Sequence, residues 1–225
     1  MRLHADLSLP AIVDGGALEW VRSPVAGVER RMLERDGDEV ARATSLVRYA
    51  PGSAFSAHVH GAGEEFLVLD GVFSDETGDF PAGFYVRNPP GSRHAPASAP
   101  GAVIFVKLRQ MPPEETLAPR VCTRDPALWS SAGPGVEQAL LFEAPWEHVA
   151  MLRLAHGHRT IRETWPGGVE WFVVEGSIEV GGVVHRTGTW MRFPPRATVQ
   201  IRTPDHALLY RKSGHLARGT RPATA

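Results

Sequence analysis

Cysteine is nearly absent from this chain. Cys122 is the only one in 225 residues, so an intramolecular disulfide and a cysteine-cluster zinc site are both excluded. The thiol reads as an ordinary half-buried side chain in a reducing compartment. An excess of one charge is missing too: 24 Lys and Arg stand against 25 Asp and Glu, with no long run of either sign. That removes the electrostatic footprint of a nucleic-acid or anionic-membrane binder and favours a small ligand of low charge. No stretch approaches 18 uninterrupted apolar residues, and the start, MRLHADLSLPAIVDGG, lacks a basic segment followed by an apolar one. The expectation is a soluble, cytoplasmic protein. Long segments of helical period are also lacking.

What is abundant is punctuation. The 23 glycines and 19 prolines are spread along the chain, as turns between many short strands require. Runs such as EFLVLDGVF, AVIFVKL and WFVVEGSIEV are rich in β-branched and aromatic residues and bounded by Gly or Pro. The chain is also self-similar. Residues 46–107 align without a gap on residues 151–212, so that Arg48, Gly63, Glu65, Gly71, Arg87, Pro89 and Lys107 fall on Arg153, Gly168, Glu170, Gly176, Arg192, Pro194 and Lys212. Upstream, GVERRML (27–33) faces GVEQALL (135–141) at an offset three residues larger, a change assigned to a hairpin whose tight turn is Asp36-Gly37. The fold class is all-β: two tandem jelly-roll barrels forming an internal pseudo-dimer, in which closure or sheet-on-sheet packing protects strand edges. The expected boundaries are a metal-binding barrel at 1–110, a linker at 111–119, a second barrel at 120–213 and a flexible tail at 214–225.

The chemistry concentrates in GSAFSAHVHGAGEEFLVLDG. His58 and His60 are separated by one residue, which places both imidazoles on one face of a strand. The turn Gly61-Ala62-Gly63 reverses the chain and brings Glu64 within reach, and RNPPGSRH delivers His94 off a proline-glycine turn. Three neutral imidazoles and a carboxylate suit one divalent transition metal ion: zinc in a closed tetrahedral site, iron(II), manganese, nickel or copper in an open one. Calcium and magnesium prefer oxygen.

These residues resemble the cupin superfamily. The first cupin motif, G-x5-H-x-H-x3,4-E-x6-G, is filled by Gly52, His58, His60, Glu64 and Gly71. The second, G-x5-P-x-G-x2-H-x3-N, is filled by Gly83, Pro89, Gly91 and His94, with Ser98 in place of the asparagine. The motif makes Glu64 the ligand rather than Glu65, because only Glu64 leaves six residues before Gly71. Glu65 recurs as Glu170, so a structural role is expected for it. More narrowly, residues 47–96 are similar to the cupin-like domain of ChrR-type anti-sigma factors and its stand-alone relatives.

Carried across the repeat, the four ligand positions become Glu163, Trp165, Val169 and Val199, which cannot form a second site of this kind. Trp165 and the valines should fill the barrel interior. His156 and His158 form another H-x-H pair ahead of Glu163, but they align with Pro51 and Ser53, at the strand entrance. His185 and His206 lack partners at motif spacing. Trp165, Trp171 and Trp190 read first as core and second as the lining of an apolar cavity.

The resemblance implies two functions. One is an iron(II)-dependent dioxygenase or related oxidoreductase acting on a small ketone-type substrate. The other is a sensory metal-binding protein related to the anti-sigma factors. ChrR-type proteins bind a sigma factor through a separate N-terminal zinc domain. The segment before the first barrel here has about 40 residues and no cysteine, and it aligns with strands of the second repeat, so a sigma-factor partner is doubtful. A homodimer and a small-molecule ligand remain as partners, without nucleic acid or membrane.

Overall fold

A computed structural model of the chain describes residues 1–160 and 162–218. The fold is mostly β, with two large sheets of 11 and 9 strands and two-stranded flaps, as two jelly-roll barrels require. Among the described residues the chain divides into two compact units, one of Met1–Ala5 and Leu18–Arg124, the other of Asp6–Ala17 and 125–218.

In the first unit the sheet runs Val28–Gly37, Ala41–Tyr49, Ala102–Leu108, Glu64–Asp75, Phe84–Asn88, Arg120–Cys122. In the second the same order is built from Val136–Ala144, Glu147–Leu154, Ala207–Ser213, Val169–Val180, Thr189–Phe193, Ala11–Asp14. Neighbouring strands in both are antiparallel. The irregularities recur as well. The register shifts between Met32 and Glu34 and between Leu140 and Phe142, and each extra residue, Leu33 or Leu141, is buried. A β-bulge bends the strand and re-aims a side chain, and here the bulge lets both repeats bury a leucine at the same place.

The structure differs from the sequence boundaries at their edges. Ala11–Asp14 pairs with Thr189–Phe193 in the second unit, and Arg120–Cys122 pairs with Phe84–Asn88 in the first. Each repeat's leading strand therefore completes the sheet of the other repeat. A unit's edge strand leaves a row of unpaired amides and carbonyls, and a short extended arm from elsewhere in sequence satisfies it. Residues 111–119 are not a free connection either, because Met111 and Glu115 are buried and Glu115 accepts a hydrogen bond from Arg87 Nη2 at 3.4 Å. Of the expected tail, His215–Arg218 forms a 3-10 helix with Leu216 buried, and 219–225 lie outside the described residues. Asp36-Gly37 does not make the hairpin turn. Both residues extend the strand, Gly37 pairs with Ala41, and residues 38–40 form the loop, against the tighter loop of 145–146 between Ala144 and Glu147.

The first barrel's core gathers Val47, Phe66, Val68, Phe73, Val86, Ile104 and Val106. The second gathers Leu152, Leu154, Val169, Trp171, Val173, Met191 and Val199.

Candidate metal centre

His58 and His94 face each other across a two-stranded flap, His58–Val59 against Arg93–His94. The flap is pinned by the amide of His60, which donates to Ser92 O at 2.9 Å, and by the amide of Gly91, which donates to His60 O at 2.8 Å. The one-residue spacing keeps His58 and His60 on the same face, and the three rings close on each other with centroids 4.9, 4.9 and 4.6 Å apart. Among the described residues, His58, His60 and His94 are the one cluster of three or more candidate ligands, with donor atoms all within 4.8 Å of one another.

Glu64 opens the strand Glu64–Asp75 after the Gly61–Gly63 turn. Gly63 adopts φ +77°, and a Cβ there would lie 2.4 Å from Met111 Sδ, so the reversal that positions Glu64 depends on glycine. Glu64 Oε2 lies 3.6 Å from Nε2 of His60 and 3.6 Å from Nε2 of His94. Two ligands at about 2.1 Å from a common ion stand about 3.0–3.4 Å apart, so only a small contraction separates this arrangement from a coordination shell. Both Nε2 atoms are buried without a hydrogen-bond partner. A buried polar atom without a partner is costly, and a bound cation satisfies both at once. The donor set fits a divalent metal.

Neighbouring groups orient two of these side chains. Asp75 Oδ2 lies 3.2 Å from His94 Nδ1, the carboxylate–histidine arrangement that fixes a ligand's tautomer with Nε2 free. Asn88 Nδ2 donates to Glu64 Oε2 at 3.0 Å, and Arg120 Nη2 donates to Asn88 Oδ1 at 2.7 Å. His58, which is exposed, has only a long contact from Nδ1 to Ser56 O at 3.4 Å. Behind His94 stands an aromatic wall: Phe73 at 5.8 Å, then Tyr49 and Phe55 in edge contacts at 5.7 and 5.4 Å.

Electrostatics match the geometry. Burial, helped by the neighbouring His94 and His58 rings, pulls the His60 pKa down to about 3, which keeps it neutral and ready to ligate. Burial also lowers His94, against the opposing pull of Asp75. Burial pushes Glu64 up to about 7 although the Asn88 hydrogen bond favours its charged form. Burial works to raise Asp75 as well, but the bonds from Thr77 and the His94 ring outweigh it and hold the carboxylate below its ordinary value.

Glu65 points to the opposite face from Glu64, as strand alternation demands. It accepts from Tyr85 Oη at 2.6 Å and Arg87 Nη1 at 2.9 Å. Its repeat partner Glu170 accepts from Trp190 Nε1 at 3.1 Å and lies 3.0 Å from His215 Nε2. Trp190, fully buried, is therefore held beside Glu170 on the other face of the sheet and is not among the residues lining the cavity that Trp165 and Trp171 share, contrary to the grouping of the three. Ser98, which replaces the motif asparagine, donates to Val72 O at 2.6 Å.

In the second barrel the flap recurs, with Glu163 opposite Val199 as His58 is opposite His94. Val169 and Val199 are buried in the core, with Trp165 packed against it. Asp75, Asn88 and Arg120 escaped the sequence reading. Asp75 is 19 residues from His94, and Arg120 lies in the stretch assigned to the other repeat, so no local spacing announces either.

No helix among the described residues is long and apolar enough to cross a membrane. Among solved structures the fold is similar to a protein of Nostoc punctiforme provisionally named a dioxygenase (17% identity, 97% of this chain and 87% of that one, TM-score 0.76). It is also similar to salicylate 1,2-dioxygenase of Pseudoaminobacter salicylatoxidans, solved as gentisate adducts (15% identity, 92% and 81%, TM-score 0.67), and to a bacterial pirin of Escherichia coli in complex with nickel(II) (12% identity, 91% and 98%, TM-score 0.67). At these identities the likeness shows the fold alone. No curated protein matches the chain. The model of the ChrR cupin-like domain matches twice, over residues 9–112 and 118–217. The chain belongs to the ChrR cupin-like domain family and carries that domain in two copies.

Proposed function

We propose that His58, His60, Glu64 and His94 hold one divalent transition metal, zinc or iron ahead of manganese, nickel and copper. We further propose that the protein is a metal-dependent oxidoreductase of the dioxygenase class acting on a small ketone-type substrate. The observation that carries the reading is the convergence of three imidazoles, two of them with a buried Nε2 that lacks a hydrogen-bond partner. When bound, iron(II) supplies a Lewis acid and a redox-active centre. Burial keeps His60 unprotonated, Asp75 holds the His94 ring, and Asn88 holds the Glu64 carboxylate. Exposed His58 leaves the approach to the cluster open to solvent, and half-buried Tyr49 and Phe55, backed by the buried Phe73 ring, offer an apolar surface to a compact substrate.

Elemental analysis of protein purified without added metal is expected to give about one equivalent of a transition metal, and His94→Ala should lose it. Full occupancy in His94→Ala would overturn the ligand assignment. After anaerobic loading with iron(II), oxygen uptake is expected with at least one member of a panel of small diketones and hydroxyketones, and His60→Ala should abolish it. A fully loaded protein that consumes no oxygen with any of them overturns the enzymatic half of the reading while leaving the metal centre standing.

The family description favours a second reading, a sensory metal-binding protein related to the anti-sigma factors. Retention of a sigma factor from native extract by the loaded protein, and not by His94→Ala, is the result that would favour it.

A further inference from the structure

Where the first barrel carries its imidazoles, the second carries a cavity of about 80 Å³. It is lined by Glu163, Trp165 and Val199, the repeat counterparts of His58, His60 and His94, together with Trp171, Thr160 and Arg211. Position 211 corresponds to Val106 of the first copy, a buried core residue. The second repeat has thus placed a guanidinium where the first has a methyl-bearing side chain, pointing into a barrel otherwise closed by Leu152, Leu154 and Trp171.

That guanidinium is incompletely satisfied. Nη2 donates to Gln138 Oε1 at 2.9 Å and lies 3.5 Å from His148 Nδ1, and the group sits 5.7 Å from the centre of the Trp165 ring. Its Nε is buried without a hydrogen-bond partner, as is the Trp165 indole Nε1. Among the described residues no carboxylate reaches ion-pair distance. Glu163 acts on Arg211 only at longer range, in a favourable sense that burial outweighs. Two buried donors on one small cavity, one of them on a cation, mark a missing acceptor, and buried charges persist only when paired.

We propose that the second barrel is a receptor for a small monocarboxylate, whose oxygens accept from Arg211 and from the Trp165 indole while its short carbon chain packs on Trp171 and Val199. The planar fork of arginine suits a carboxylate, and the cavity volume limits the ligand to a few heavy atoms. Glu163 at the rim adds selectivity, because it repels a second carboxylate and accepts from a hydroxyl. This site is independent of the metal centre and of the activity proposed for it.

Calorimetric titration with acetate, glycolate, lactate and pyruvate, with phosphate and succinate as controls, tests the proposal. At least one monocarboxylate is expected to bind, and more tightly than either control. Arg211→Met should weaken it by about tenfold or more, the usual effect of removing a charge-assisted hydrogen bond. Arg211→Met is expected to fold, since replacing a buried charge by an apolar side chain is often neutral or stabilising. Trp165→Phe keeps the ring, loses the N–H, and should weaken binding by several-fold. The double variant His58→Ala/His94→Ala should bind as the parent does. Four results would each overturn the proposal: no binding by any monocarboxylate, binding unchanged in Arg211→Met, binding lost with the two histidines, or phosphate binding as tightly as the carboxylates.

Discussion

His60 and Glu64 titrate in opposite senses in the metal-free protein. Burial takes His60 from 6.5 down to about 3, so between those values the unfolded chain binds the extra proton. The stability that His60 contributes is therefore present above pH 6.5 and lost as pH falls through that window. Glu64 is raised from 4.5 to about 7. Its contribution is full below pH 4.5 and lost as pH rises toward 7. Between pH 4.5 and 6.5 the two slopes oppose each other, with His94 and His148, both lowered by burial, on the side of His60. Metal-free protein should accordingly melt at lower temperature as pH drops below 6.5, and Glu64→Gln, which removes the opposing slope, should make that decline steeper. Melting curves of the two proteins that run parallel from pH 6.5 to 4.5 would contradict a raised Glu64 pKa. Spacing, together with the resemblance to the cupin motifs, pointed to His58, His60, Glu64 and His94, because each sits beside a turn that such motifs describe. Asp75, Asn88 and Arg120 were illegible because strand register decides their contacts: Asn88 is opposite Glu64 across two antiparallel strands, a relation that no interval along the chain encodes.

Strands here are bent at the same places twice, and glycine marks one of those places. Gly71 and Gly176 adopt φ +70° and +76°, and a Cβ would come within 2.0 Å of Gly101 O and 2.1 Å of His206 O. A methyl group there meets backbone that cannot swing away. Gly71→Ala is expected to destabilise the protein by about 2–4 kcal/mol, from left-handed strain plus displacement of the neighbouring strand. Gly52 has φ +75° with open space around its Cβ position, so Gly52→Ala should cost only the conformational part, about 1–2 kcal/mol. Denaturant unfolding of both variants checks the difference, and equal losses would show that strain, not collision, dominates. The repeated glycines and the alternating apolar runs made the strands visible in the sequence. The hairpin was misread because Asp36-Gly37 is a favourable turn dipeptide that here continues the strand until Gly37 meets Ala41.

At the scale of the whole molecule, the repeat boundary and the unit boundary do not coincide. Arg120, placed by the repeat in the second domain, belongs to the first unit, where it donates to Arg87 O at 2.6 Å and to Asn88 Oδ1 at 2.7 Å. Asn88 in turn holds Glu64. Arg120→Ala should therefore weaken metal binding by about tenfold, at the low end for residues that orient a ligand, when measured by competition with a chelator. An unchanged affinity would mean that Glu64 is positioned by its own strand alone. Jelly-roll architecture and duplication were legible because periodicity and turns are local. The exchange of leading strands was not, since Ala11–Asp14 carries no signal of which sheet it will join.

That exchange sets a timetable for synthesis. The strand Ala11–Asp14 leaves the ribosome well ahead of its partner Thr189–Phe193, which follows roughly 180 residues later, about 10–35 s at ordinary rates of translation. During that interval the first unit can close, since its last strand, Arg120–Cys122, arrives long before. The arm meanwhile waits with Ile12 and Val13 unpaired, and the sheet of the second barrel can be completed only once Thr189–Phe193 has emerged to meet it.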